Sequence, residues 1–242
     1  MQQDNKERID FYDEHKDKSF DFPILPDTIQ PWDGVNVAKW FIEQMLHNNV
    51  GWLNIAVRTV NDPGYEHLPH YFAGRVECDK IKNEFKGQET NLNLANHWTK
   101  KARETAPASK EWWHKCFPSE KYNFIKMNFI EPLQGLGPRI DRGPEGESAF
   151  EVIDRGLPVH LAMKRPGHDC KLVVEDCGIV PMNEGSMYLL NPTKRYAYIN
   201  TSTDQDAHTH IASVTLGDQF PRFCDLIARS YDIQSRLHND HQ

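Results

Sequence analysis

The sequence predicts a mainly β domain with flanking helices, and three observations carry that prediction. After Pro118 the chain divides into short apolar or alternating runs separated by turn signals: Gly135 and Gly137, Arg165-Pro166-Gly167, Glu184-Gly185 and Asn191-Pro192. Many short strands punctuated in this way build a sandwich or a barrel. Ahead of them Val37, Trp40, Phe41 and Met45 fall at helical spacing, and behind them Phe220, Phe223, Cys224, Ile227 and Tyr231 share a helical face. A chain of 242 residues can bury one good core of this kind.

Residues 1–30 read as a polar lead-in, with Pro23 and Pro26 and then Pro31 favouring an extended course. The helix that begins near Val37 stops at Asn48-Asn49, and Leu53, Ile55 and Val57 then alternate as a strand does. Asn61 to Gly74, with Asp62-Pro63-Gly64, reads as a loop or insertion. Residues 94–117 read as helix in two pieces broken near Pro107 and anchored by Trp112 and Trp113. The predicted strands that follow are Tyr122–Ile130, Ala149–Ile153, Leu157–Met163, Lys171–Glu175, Ser186–Asn191, Arg195–Asn200 and His208–Thr215. The expected organisation is one domain over 31–242. It comprises helical support over 31–120, a β-barrel over 121–216 and a C-terminal helix over 217–237, with the helices packed outside the barrel.

Composition narrows the function. A net charge of −7 opposes general nucleic-acid binding, which needs a basic face against phosphate. No run approaches the roughly 18 apolar residues of a membrane span. The polar start from Met1 to Lys18 lacks the apolar core of a signal peptide, so a soluble cytoplasmic protein is expected. The five cysteines are scattered without a Cys-x-x-Cys pair, which argues against a disulfide framework and against structural zinc. Twelve histidines make a metal site worth testing.

Three stretches in order resemble the aspartyl/asparaginyl and prolyl hydroxylase branch of the Fe(II)/2-oxoglutarate-dependent dioxygenases. The first runs from Tyr122-Asn-Phe-Ile-Lys-Met-Asn-Phe-Ile-Glu-Pro-Leu-Gln-Gly through Arg139-Ile-Asp141, where the family has a strand and a turn leading to His-x-Asp. The second is Leu157-Pro-Val-His160-Leu-Ala-Met, similar to the family's Arg-x-His strand. The third is Asn183-Glu-Gly185-Ser-Met-Tyr-Leu-Leu-Asn191, then Tyr196-Ala-Tyr-Ile-Asn200 and His208-Thr-His210. There the family has a glycine turn, a strand ending in Asn, a His four residues before another Asn, and Arg-x-His. The resemblance covers about 100 residues at the level of pattern and implies a double-stranded β-helix of cupin or jelly-roll type.

It also implies an iron site that this chain does not reproduce. Such enzymes hold Fe(II) with two imidazoles and one carboxylate on one face. In this chain the His-x-Asp position reads Arg139-x-Asp141, and a guanidinium has no lone pair to donate. The distal histidine position is Tyr196, whose phenol, with a pKa of about 10, is a poor neutral-pH ligand for Fe(II). The co-substrate arginine is replaced as well, with His208 nearest to its place. Without iron, Asp141 would be a buried carboxylate in need of compensation. Arg139 on the same strand face, or Arg142, would neutralise it, and Tyr196 would fill the volume and donate to Asp141 or His160.

Other arrangements compete with that reading. His208 and His210 share a strand face and His160 lies on a neighbouring strand, so the three could converge, with Asp141, on a relocated metal or hold 2-oxoglutarate or another anion. Hydrogen-bonded core histidines are the plainer alternative. His67 and His70 near Glu66 would need a helix to share a metal, and Pro69 opposes one. His114 reads as helix surface, His168-Asp169 as solvated, and Trp40, Trp112 and Trp113 as packing. Tyr196 and Tyr198 share a side of their strand, as barrel core or as the lining of a pocket.

The expectation is therefore a hydroxylase-like protein that has lost iron, needs no cofactor, and serves as a binding or structural component with a protein partner. Stand-alone versions of the resembled family suggest a phage or virion assembly. The rival is an active dioxygenase, using Fe(II) and 2-oxoglutarate on a side chain, with ligands drawn from Asp141, His160, His208 and His210. A third possibility is an anion-binding barrel with Arg139 as the bidentate clamp.

Overall fold

The computed structural model describes residues 2–55, 117–118, 121–140, 158–162, 170–181, 187–204 and 207–239. Helix α1 spans Gln2–His15, α2 Gly34–His47 and α3 Phe220–Asn239, the last preceded by a short 3-10 turn at Gly217–Gln219. The strands are β1 (Trp52–Ile55), β2 (Lys121–Ile130), β3 (Gly135–Ile140), β4 (Pro158–Ala162), β5 (Cys170–Val174), β6 (Gly178–Val180), β7 (Met187–Leu190), β8 (Arg195–Asn200) and β9 (Ala207–Thr215). None of the described helices is long and apolar enough to cross a membrane. The predicted helical pieces over 94–117 and the strand Ala149–Ile153 lie outside the described residues.

The strands form two antiparallel sheets, of order β1-β7-β4-β9-β2 and β3-β8-β5-β6. This corrects the expected closed barrel: among the described residues no ladder joins one sheet to the other, and side-chain burial holds the layers together. Strand β7 shows how. All four of its residues are buried because both faces are covered. Met187 and Leu189 face α2 and α3 together with Leu53, Phe41 and Phe223. Tyr188 and Leu190 face the opposite sheet, meeting Leu172, Val174, Tyr196 and Tyr198.

Helix α2 follows from its sequence. Val37, Ala38, Phe41, Ile42 and Met45 recur at helical spacing and are all buried. The Asp33 carboxylate accepts from the Asn36 amide at 3.1 Å and so caps the first turn. The predicted strands Arg195–Asn200 and, within a residue or two, Tyr122–Ile130, Leu157–Met163, Lys171–Glu175, Ser186–Asn191 and His208–Thr215 are present. Two strands escaped prediction. The Gly-Leu-Gly-Pro run read as a turn is the body of β3, and β6 has only three residues.

The lead-in is also corrected. Its first half is the helix α1, rich in charged helix-formers and without an apolar stripe. One aromatic fastens it: Phe11 packs on Val173 and Ala197, on the outer face of the four-stranded sheet. Burying one such ring contributes about 1.5–3 kcal/mol. The Arg195 guanidinium lies 5.2 Å from the Phe11 ring centroid and meets the Glu175 carboxylate at 2.7 Å. Burial resists charge on Glu175, yet the Arg195 side chain and backbone N–H outweigh it and hold this carboxyl below its ordinary range.

The second half of the lead-in keeps the extended course expected of it and does structural work. Phe20 packs against both core clusters and meets Trp52 edge-on at 4.7 Å. Further on, Tyr231 Oη accepts from the Leu25 amide at 2.8 Å and donates to the Pro23 carbonyl at 2.9 Å. The path leaves no room at Gly178: a Cβ built there would overlap the Lys18 carbonyl oxygen, and its φ of +94° disfavours any side chain. Gly178→Ala is therefore expected to cost about 1–3 kcal/mol, read from urea denaturation midpoints. An unchanged midpoint would mean that residues 18–20 are not held against β6.

Candidate functional site

Strand β8 brings Tyr196 and Tyr198 to the face that looks into the sandwich, 2% and 0% exposed. Their register partners on β5 are Val174 and Leu172, and on β3 Arg139 and Leu136. Three residues of β3 thus match two of β8, and the extra one is absorbed in a bulge between Leu136 and Arg139. Gly137 makes the bulge possible. It has a φ of +91°, and a Cβ there would sit 2.6 Å from the Tyr196 carbonyl oxygen. Without the bulge, Leu136 and Arg139 would fall on opposite faces. With it, both fall opposite the two tyrosines.

Arg139 and Tyr196 bond to each other directly. Arg139 Nε donates to Tyr196 Oη at 2.6 Å, and the guanidinium carbon lies 5.2 Å from the ring centroid. Tyr198 meets Tyr196 edge-on at 6.1 Å. The phenol oxygen thus accepts from a permanent cation. A divalent ion needs lone pairs aimed at it; here one group has none and the other turns one toward an N–H. These two residues do not fit the ligand set of an iron centre. Asp141 and Arg142 lie outside the described residues.

The ladders also locate the histidines. β4 pairs with β9 so that His160 stands opposite Ile211 and Leu161 opposite His210. His160 stands opposite Tyr188 of β7, and His208 and His210 stand opposite Phe129 and Met127 of β2. His67, His70, His114 and His168 lie outside the described residues.

Two residues that served as sequence markers are buried polar staples. Asn191 Nδ2 donates to the carbonyls of Met45 and, at 3.0 Å, Val50, while its Oδ1 accepts from Thr193 N and Oγ1 at 2.9 and 2.7 Å. Asn200 Nδ2 donates to Ile130 O at 3.0 Å and Glu131 O at 3.2 Å, and its Oδ1 accepts from Ser202 N at 3.1 Å. Each satisfies backbone groups that burial would otherwise leave orphaned. The sequence signal was an asparagine closing an apolar strand. The described thiols are inert packing: burial pushes Cys170 up to about 12 and Cys177 and Cys224 up to about 11.

No family model matches this chain, and no curated protein matches it. Among solved structures it is similar to a Pseudomonas putida prolyl-4-hydroxylase at 10% sequence identity and a TM-score of 0.33, over 83% of this chain and 99% of that one. A likeness at that TM-score carries no argument about fold, and no residue's role is taken from it.

If Tyr196 is the partner that keeps Arg139 satisfied, Tyr196→Phe leaves the Nε–H without that acceptor. A stability loss of about 1–3 kcal/mol is expected. Equal urea midpoints for the two proteins would remove the pair's structural role.

Proposed function

We propose that this chain is a hydroxylase-like double-stranded β-helix protein that does not hold iron and acts as a non-catalytic binding or structural component of an assembly. The observation that carries the proposal is the 2.6 Å hydrogen bond between Arg139 and Tyr196. These are the positions where the resemblance calls for the two imidazoles, and they stand opposite each other on β3 and β8. A cation and a phenol that satisfy each other make a stable interior; they do not make a metal-binding one.

The strand order supports the fold half of the proposal. From β2 onward the chain alternates between the sheets and stays in one sheet only for the β5–β6 hairpin. Among the described residues this winding of eight strands into two four-stranded layers, with β1 added at one edge, is the order a jelly-roll reading calls for. The cytoplasmic location, the absence of a cofactor and the protein partner are parts of the same proposal. So is the virion setting, which rests on the sequence resemblance alone.

Anaerobic titration of the purified protein with Fe(II) and 2-oxoglutarate tests the reading. The expected outcome is no visible charge-transfer band and no rise in melting temperature. Specific binding at a hundredfold excess over Kd would add about 2.7 kcal/mol. The double variant Arg139→His with Tyr196→His restores two imidazoles and is expected to gain Fe(II) binding where the parent has none. A stoichiometric Fe(II) site in the parent, with turnover of 2-oxoglutarate, would replace the proposal by the dioxygenase reading. A folded double variant that binds no metal would show that these are not the ligand positions.

A further inference from the structure

Among the described residues the five-stranded sheet ends at β1 and the four-stranded sheet at β6, and a groove of 430 Å³ lies between these two edges. An edge strand presents N–H and C=O groups that no neighbouring strand satisfies. At β1 a side chain takes the neighbour's place. Gln234 Oε1 of α3 accepts from the Asn54 amide at 3.2 Å, and its Nε2 donates to the Asn54 carbonyl at 2.9 Å. A carboxamide offers the same acceptor and donor as the backbone, so Gln234 bonds Asn54 as the C=O and N–H of one residue of an added antiparallel strand would.

Two further properties of the groove describe what would replace it. Its walls are largely apolar, with Phe20, Trp52, Ile179 and the half-exposed Leu237 among them. Its charge is one-sided: Lys18 lines it and no carboxylate does, in a chain with 35 Asp and Glu against 28 Lys and Arg.

We propose that this groove docks an extended peptide segment of a partner protein, apolar at alternate positions and carrying a carboxylate, which pairs with β1 in place of Gln234. Strand addition at a sheet edge draws affinity from main-chain hydrogen bonds and selectivity from pockets for alternate side chains. Gln234 is then an internal competitor that keeps the edge satisfied while the groove is empty. This inference does not depend on whether the interior holds iron, which the metal titration decides separately.

The probe is a fluorescently labelled hexapeptide of alternating valine and serine ending in glutamate with a free carboxyl terminus. The control has the same sequence ending in lysine amide. Each is titrated into the full chain and followed by fluorescence anisotropy, with circular dichroism confirming that every variant is folded. The expected result is saturable binding of the acidic peptide, tightened about three- to tenfold in Gln234→Ala, where the competing hydrogen bonds are gone. Lys18→Glu is expected to weaken it at least about threefold. Asn54→Pro is expected to abolish it, since it removes the outward N–H and an edge strand tolerates proline there. If Asn54→Pro does not fold, the first two variants decide. Affinity unmoved by Gln234→Ala and Lys18→Glu, equal binding of the control, or no saturation with either the parent or Gln234→Ala would overturn the proposal.

Discussion

Two sheets that no ladder joins among the described residues stay together by filling the space between them and pairing the polar groups that enter it. Tyr188, Leu190, Leu172, Val174 and the rings of Tyr196 and Tyr198 fill that space. The cost of an unpaired polar atom there, about 1–3 kcal/mol, governs what else is allowed in. Tyr188 Oη gives its proton to the Pro181 carbonyl, and Asn200 gathers the backbone where β2 ends. Arg139 enters the same face with its Nε–H already committed to Tyr196. Pairing polar groups inside the fold gives it a stable interior.

Filling the centre leaves the edges to be managed, and the chain manages them with its two ends. The N-terminal segment puts Phe20 against both clusters beside the β1 and β6 edges, while α1 covers the outer sheet face through Phe11. From the other end, α3 covers the β1 edge with Gln234 and holds the lead-in with Tyr231. At Asn54 that covering is made by two hydrogen bonds from one side chain, at 3.2 and 2.9 Å.

The site shows why a short β-motif is hard to interpret from spacing alone. The assignment of Arg139 opposite Tyr196 needed β3 and β8 to pair at one register, and a single-residue bulge at Gly137 sets that register. How the three histidines are arranged turns in the same way on the register of β4 against β9. Both were questions of which even or odd positions share a face. Strand periodicity answers that within a strand but not between strands.

By itself the sequence determined the mainly β class with flanking helices, six of the strands nearly to their ends, and helices α2 and α3. Those features are local: apolar residues at spacing two or at helical spacing, and turn residues between them, are decided within a few residues of chain. It also determined that Arg139 and Tyr196 cannot act as imidazoles, because that is a property of the side chains alone. Only the tertiary structure decided that α1 is a helix docked by Phe11, that Gly135–Ile140 is a strand rather than a turn, and that Leu161 pairs with His210 across β4 and β9. It also decided that Gln234 meets Asn54 across 180 residues of sequence. Each of these rests on the register or docking of segments far apart in the chain, where the free energy comes from burial and pairing that no local pattern records.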